Sequence, residues 1–235
     1  MTEPPRKRMV RLPTGGSDEG RSKPARLKTA KQRTPSSQAW LERQINDPFA
    51  AKARAHGYRS RAAYKLIEID DKFHFLQPGV RVIDLGVAPG GWTQVAIERV
   101  DLLPVDPMPP AHILQMDFTD PECGPMLIDL LGGPPDLVRS DMAPNTVGHR
   151  QTDHLRIVGL IEVATTFAIS VLKPGGAFAI KAFQGGEVGD LIQKLRLDFA
   201  SVKNVKPKAS RADSSETYIV ATGFKGRRDP QGEPA

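Results

Sequence analysis

Two lysines and two carboxylates, each in its own short frame, are the residues of this chain best suited to chemistry. They are Lys65 in SRAAYKL, Asp141 in SDMAPN, Lys181 in AIKAFQG and Glu216 in SSETYIV. A lysine acts as a base only when its pKa is depressed, which burial or a neighbouring cation achieves. Two lysines converging on one site supply that depression to each other, while two carboxylates orient them and keep the net charge tolerable. Such a set suits removal of a proton from a weak nucleophile, for example an alcohol, whose oxygen must be held in line with its target. Taken singly, most of the four have an ordinary structural explanation. Lys65 could be an exposed lysine on an amphipathic helix, Asp141 a cap for the turn Ala143-Pro144-Asn145, and Glu216 a solvated acid at a strand edge. Lys181 is harder to dismiss, because it extends the apolar run Ala-Phe-Ala-Ile, and a charge in a core strand rarely stays buried without a partner.

A second candidate lies between the first two frames. Residues 84–92, DLGVAPGGW, read as a strand end, a glycine-rich turn and a helix start. Glycines let backbone N–H groups approach a ligand closely, and a helix N-terminus adds positive potential. The turn lacks GxGxxG spacing and has no Gly-Lys-Ser/Thr, which argues against a dinucleotide enzyme and a P-loop NTPase. The five histidines, His56, His74, His112, His149 and His154, show no HExxH or clustered spacing, so no metal site is expected. No GxSxG nucleophile elbow is present.

The elements that must position these residues follow from pattern. Asp47-Pro48 is a helix start and Gly57 a stop, and Ser60 is placed to cap a second helix through about residue 72. From residue 80 the pattern changes to short apolar, β-branched runs at 80–85, 112–114, 136–139, 177–182 and 217–222. Helical stretches lie between them near 121–131, 152–172 and 187–197. Alternating strands and helices predict an α/β fold of Rossmann-like type, a central, mostly parallel sheet with helices on both faces. In such sheets ligands sit at the carboxyl ends of the strands.

Charge is unevenly placed. The net charge is +6 over 235 residues, yet residues 1–35 hold ten Lys and Arg against three acids, and the remainder 23 against 24. The first 35 residues, rich in Pro, Gly, Ser and bases, read as a disordered basic tail, an electrostatic anchor suited to nucleic acid. Residues 36–225 read as one domain whose helical segment, 36–77, faces RNA, and 226–235 as a second disordered tail. Lys52, Arg54, Arg59, Arg61 and Lys65, with Tyr58 and Tyr64 interleaved, form one basic stretch, and Lys203, Lys206, Lys208 and Arg211 another. Such bases meet phosphates, and an aromatic ring can stack on an exposed base. The single cysteine, Cys123, excludes an intramolecular disulfide and a cysteine-cluster metal site, and fits a reducing compartment. The longest apolar stretch, 157–172, is interrupted by Glu162 and is shorter than the roughly 20 residues a membrane helix needs. With no apolar h-region at the N-terminus, the expected address is cytoplasmic.

The four frames and the turn between them, in this order, resemble the RlmE/FtsJ family of ribosomal-RNA 2′-O-methyltransferases over about residues 36–223. The resemblance implies S-adenosylmethionine as cofactor and a Lys-Asp-Lys-Glu active site. It implies a uridine ribose in 23S rRNA of the large ribosomal subunit as the target, and a chain that acts as a monomer. Lys181 would be the base or the group that steers the hydroxyl, Asp141 would orient Lys181 beside the methyl donor, and Lys65 and Glu216 would hold the substrate ribose. Gly90 and Trp92 would contact the cofactor, Asp101 its ribose hydroxyls, with Asp106 the runner-up, and Asp117 its adenine amino group. One departure stands out: eight residues separate Trp92 from Asp101. The interval cannot hold a helix and a strand of ordinary length. The usual strand is therefore expected to be missing, or formed by residues 96–100 at the helix's expense. Two alternatives stay open: a 2′-O-methyltransferase of tRNA or of an mRNA cap, and an RNA-binding ribosome assembly factor with impaired methyl transfer.

Overall fold

Residues 34–100, 111–112, 114–143 and 148–227 are described by the computed structural model. Contacts divide the chain into two units, Met1–Asn46 and Asp47–Ala235. The described part of the first is a single helix, α1 (Pro35–Ile45), whose N-cap Thr34 accepts a hydrogen bond from the Ser37 amide.

The second unit opens as the capping signals require. Asp47 accepts from the amides of Phe49 (3.0 Å) and Ala50 (3.2 Å) at the head of α2 (Pro48–Ala55), and Gly57 lies beyond its end at φ +77°. The next helix, α3 (Ala62–Phe73), starts without a side-chain cap. Ser60 does not cap it: its hydroxyl is buried without a hydrogen-bond partner among the described residues. It is pressed against the backbone of Gly91, where a Cβ would come within 2.3 Å of it. The remaining elements are β1 (Val82–Leu85), α4 (Gly91–Val100), α5 (Cys123–Leu130), β2 (Leu137–Ser140), α6 (Arg150–Val171), β3 (Ala177–Phe183), α7 (Gly186–Asp198), β4 (Phe199–Val205) and β5 (Glu216–Phe224).

The five strands form one sheet in the order β1-β2-β3-β5-β4. The first three are parallel, as the strand–helix alternation predicts, while β5 runs antiparallel to both β3 and β4. Strand periodicity divides the core in two. Ile83, Val138, Phe178, Ile180, Ile219 and Ala221 face α6 and α7. Leu137, Ala177, Ala179, Tyr218 and Val220 face α3 and α4, packing on Leu66, Ile69, Trp92 and Val95. Burial of this kind stabilises by about 25 cal/mol per Å² of apolar area. It fixes α3 and α4 on the face where residues 139, 181 and 216 also point.

One expectation is corrected and one of two alternatives is removed. Residues 112 and 114 carry no strand, and 113 lies outside the described residues. Residues 96–100 are helix to the last residue, so no strand forms there at the expense of α4. Strand β4 was not foreseen: it follows α7 without a turn, and of its seven residues only Phe199 and Val202 are buried.

Candidate active site

Side-chain alternation and one helix face bring the four chemical residues together. Lys181 occupies the β3 position after Ala177 and Ala179 on the α3 face. Glu216 precedes Tyr218 and Val220 by the same period on β5, and Asp141 follows Leu137 and Arg139 at the end of β2. Lys65 comes from the buried face of α3. Lys181 Nζ lies 2.9 Å from Asp141 Oδ1, donates to the Asp141 carbonyl at 2.7 Å and stands 3.9 Å from Glu216 Oε2. Lys65 Nζ reaches both oxygens of Glu216, at 2.7 and 2.9 Å. All four side chains are largely buried, at 10% exposure for each lysine, 13% for Glu216 and 20% for Asp141. Paired, hydrogen-bonded charges are the condition under which such burial is tolerable.

Tyr218, which sequence reasoning passed over, completes the cluster. It is fully buried and donates to Asp141 Oδ1 at 2.6 Å, and its ring lies 5.7 Å from Lys65 Nζ. Burial, reinforced by the charges of Asp141 and Glu216, holds its phenol well above its ordinary value, so it remains a donor. Burial also pushes Glu216 upward, but the charge and hydrogen bond of Lys65, the Ser210 hydroxyl and the charge of Lys181 outweigh it. The carboxyl therefore titrates below its usual range and stays ionised at neutral pH. The signal that could have found Tyr218 was parity: two residues beyond Glu216 on one strand must share its face.

The glycine-rich turn is packed against two of the four frames. Gly86, at φ +73°, allows an approach in which a Cβ would come within 2.0 Å of Met142, the neighbour of Asp141. Gly91 meets Ser60, in the frame of Lys65. Gly90, at φ +100°, ends the turn at the head of α4. Trp92 is placed otherwise than expected of a ligand contact: its ring is 3% exposed and stacks 5.5 Å from Tyr218, and its indole donates to the Ala62 carbonyl at 2.8 Å. Only its backbone is left to face a ligand. Beneath the turn, Thr93 and Arg139 both donate to Asp84 Oδ2, at 2.7 and 2.9 Å, and Arg139 also donates to the Trp92 carbonyl at 2.9 Å. Arg139, another residue not singled out from sequence, is fully buried on β2, two positions before Asp141.

Beside the turn opens a cavity of about 600 Å³, lined in part by Gly86, Val87, Ala88, Gln115, Met116 and Phe118. Asp117 stands between two of these, with its carboxyl accepting from the Thr119 amide (2.9 Å) and hydroxyl (2.7 Å). Those bonds hold it below the usual carboxylate range. Asp101 and Asp106 lie outside the described residues.

The basic stretches are only partly free for a polyanion. Lys52, Arg54, Arg59, Lys203 and Lys208 are exposed. Lys65 is committed to Glu216, and both Arg61 and Arg211 to the buried Asp47. Lys206 closes its own loop on the carbonyls of Ala212 and Ser214. Tyr64 is buried, with its hydroxyl 2.8 Å from His56 Nδ1, so it offers no stacking surface.

An α/β sheet with this glycine-rich turn and a converged Lys-Asp-Lys-Glu cluster defines a Rossmann-like methyltransferase. The sequence pattern of the FtsJ-like methyltransferase family matches residues 58–224. The chain is 70% identical over 226 residues to a ribosomal RNA large subunit methyltransferase E of Caulobacter sp. strain K31, spanning 93% of this chain and 100% of that one. A protein of the same name from Gluconobacter oxydans is 57% identical over 215 residues, 88% of this chain and 80% of that one. Among solved structures, a ribosomal RNA methyltransferase from Plasmodium falciparum superposes with a TM-score of 0.62 at 31% identity, over 72% of this chain and 100% of that one. The chain belongs to the FtsJ-like methyltransferase family.

Proposed function

We propose that this chain transfers a methyl group from S-adenosylmethionine to the 2′-hydroxyl of a uridine in 23S rRNA of the large ribosomal subunit. The observation that carries the reading is the convergence of Lys65, Asp141, Lys181 and Glu216 beside a glycine-rich turn and an apolar cavity. The names of the relatives support large-subunit ribosomal RNA as substrate.

The residues present fit the cofactor. The turn offers backbone N–H groups at a helix N-terminus, the cavity has the size and largely apolar lining of a nucleoside site, and Asp117 stands in sequence between its lining residues Met116 and Phe118. Gly90 and the Trp92 backbone would hold it at the turn, Asp117 at the base, and Asp101 at the ribose, with Asp141 near the reacting centre. When bound, S-adenosylmethionine supplies an electrophilic sulfonium methyl. The protein's own part is to hold the acceptor oxygen in line and take its proton. Two of the three bonding directions of Lys181 Nζ go to Asp141, leaving the third for the hydroxyl, whose proton the neutral amine would accept there. Lys65 and Glu216, locked to each other, hold the substrate ribose. The exposed bases of α2 and β4 meet phosphates, residues 36–77 form the RNA-facing segment, and the chain works as a monomer in the cytoplasm. No helix among the described residues is long and apolar enough to cross a membrane.

The test is transfer of labelled methyl from S-adenosylmethionine to large ribosomal subunits lacking the modification. Label in 23S rRNA that protects one phosphodiester from alkali is the expected result. Label in a base, or in tRNA alone, would overturn it. Binding of subunits without any transfer would favour an assembly factor.

A further inference from the structure

The carboxylate of Glu216 has a partner outside the four-residue cluster. Ser210 donates its hydroxyl to Glu216 Oε1 at 2.7 Å, the same oxygen that lies 2.7 Å from Lys65 Nζ. Ser210 is 5% exposed and lies in the connection between β4 and β5, six residues before Glu216. No other side-chain bond is made by its hydroxyl among the described residues.

That connection is held by bonds in which the Ser210 hydroxyl takes no part. Glu68, one turn after Lys65 on α3, accepts from the amides of Lys208 (2.5 Å) and Ala209 (3.1 Å). Arg61 bridges Asp47 and the Ala209 carbonyl. Arg211 adds a second cation to Asp47 at 3.2 Å. Ala209 is fully buried against Ala53 and Tyr64, and the Ser210 amide closes a turn on the Pro207 carbonyl at 2.9 Å. The backbone of this segment is thus fixed by α2 and α3. The hydroxyl it delivers is surplus to the segment's own fold and is spent on one carboxylate oxygen. A carboxylate bonded to a lysine alone can swing, since an ammonium accepts many approach directions. A hydroxyl fixed by its backbone defines one direction.

We infer that Ser210 is a positioning residue of methyl transfer: its hydroxyl fixes the Glu216 rotamer in which both oxygens meet Lys65 and Oε2 also faces Lys181. The inference rests on the proposed function. It makes the β4–β5 connection, clamped by Glu68 and Arg61, part of the machinery that sets the cluster's geometry. The groups facing Glu216 are Lys65 from α3, Lys181 from β3, Tyr218 from β5 and Ser210 from the connection. The Ser210 bond also lowers the Glu216 pKa, so its loss raises it.

The experiment compares the full-length chain with Ser210→Ala and Ser210→Thr in steady-state methylation of unmodified large subunits across pH, with thermal unfolding in parallel. For Ser210→Ala we expect kcat to fall about tenfold, as misaligned reacting groups do. KM for both substrates should stay within about twofold, the acid limb of kcat should move to higher pH, and Tm should fall by no more than the few degrees that one lost hydrogen bond costs. Ser210→Thr, which keeps the hydroxyl, should restore the limb. Wild-type kcat and an unmoved limb in Ser210→Ala overturn the inference, as does a loss of kcat that tracks a lowered Tm with the limb in place. No transfer by the unsubstituted chain would instead sink the proposed function, and this role with it.

Discussion

Lys181 and Tyr218 are register partners across β3 and β5, and both bond the same oxygen, Oδ1 of Asp141, at 2.9 and 2.6 Å. The sheet thus holds a base candidate and its orienting acid in a fixed triangle. Replacing Lys181 by Met keeps the stem but removes the ammonium. We expect kcat to fall by about 10²–10⁴, the range of a lost general base. The affinity for S-adenosylmethionine, measured by calorimetry, should change little.

Tyr218→Phe should be milder. It removes one donor from Asp141 while Lys181 still holds the same oxygen, and the ring still packs on Trp92. A loss of about 1 kcal/mol in stability, typical of one hydrogen bond, should accompany a modest fall in kcat. Chemical denaturation and methyl transfer read the two effects separately. A full loss of activity would mean that the phenol, not Lys181, is the group that meets the substrate.

How much of this was legible in the sequence follows from what each residue needs. Lys181 stood out because a charge had to be explained inside an apolar strand, and the turn at 84–92 because glycines cluster for few reasons. The parallel strands β1 to β3 were readable because each opens on a short apolar run, Val82-Ile83, Leu137-Val138 and Ala177–Ile180. Strand β4 was not, because an edge strand with only two buried residues, spaced three apart, shows no alternation to read. Tyr218 and Arg139 look like ordinary strand residues until register gives them a face. The contacts of Glu68 and Ser210 span 141 and 6 residues, and local pattern says nothing of the first. The resemblance implies Trp92 as a cofactor contact, yet its ring is buried in the core and only its backbone is left for that role.

Trp92→Phe therefore tests stability against binding. The substitution removes the indole donor to the Ala62 carbonyl and leaves a gap beside Tyr218. About 1–3 kcal/mol of stability should be lost. Affinity for S-adenosylmethionine should stay within about twofold, since the ring faces away from the cavity. Asp117→Ala should do the reverse, weakening cofactor binding about tenfold with little change in Tm, because Asp117 is exposed and bonds only its own turn.

Acid should expose the cluster's contribution to stability. The Glu216 pKa is lower in the folded chain than its ordinary 4.5. The stabilisation it brings is therefore fully present above that value and is lost as pH falls through the folded pKa. Glu216→Gln should lower stability at neutral pH and flatten the acid end of a Tm-versus-pH curve below about pH 4.5. An unchanged acid slope would mean that Lys65 and Ser210 do not hold the carboxylate in solution.

Arg139 is the sharpest test of how the turn is tied to the cluster. Its guanidinium is fully buried and joins Asp84 on β1 to the Trp92 carbonyl at the exit of the glycine-rich turn. Burial pulls its pKa down and the Asp84 charge resists that pull. Truncating one partner of a buried pair strands the other, so Arg139→Ala should cost about 3–5 kcal/mol. Exchanging the whole pair for apolar residues, Arg139→Met with Asp84→Leu, should recover much of that stability, because desolvation then falls on neither charge. It should not recover cofactor affinity, since nothing then ties the Trp92 carbonyl and Thr93 to the sheet. A double variant that is stable but binds S-adenosylmethionine poorly by calorimetry would separate the two roles. Recovery of both would reduce Arg139 to a packing residue.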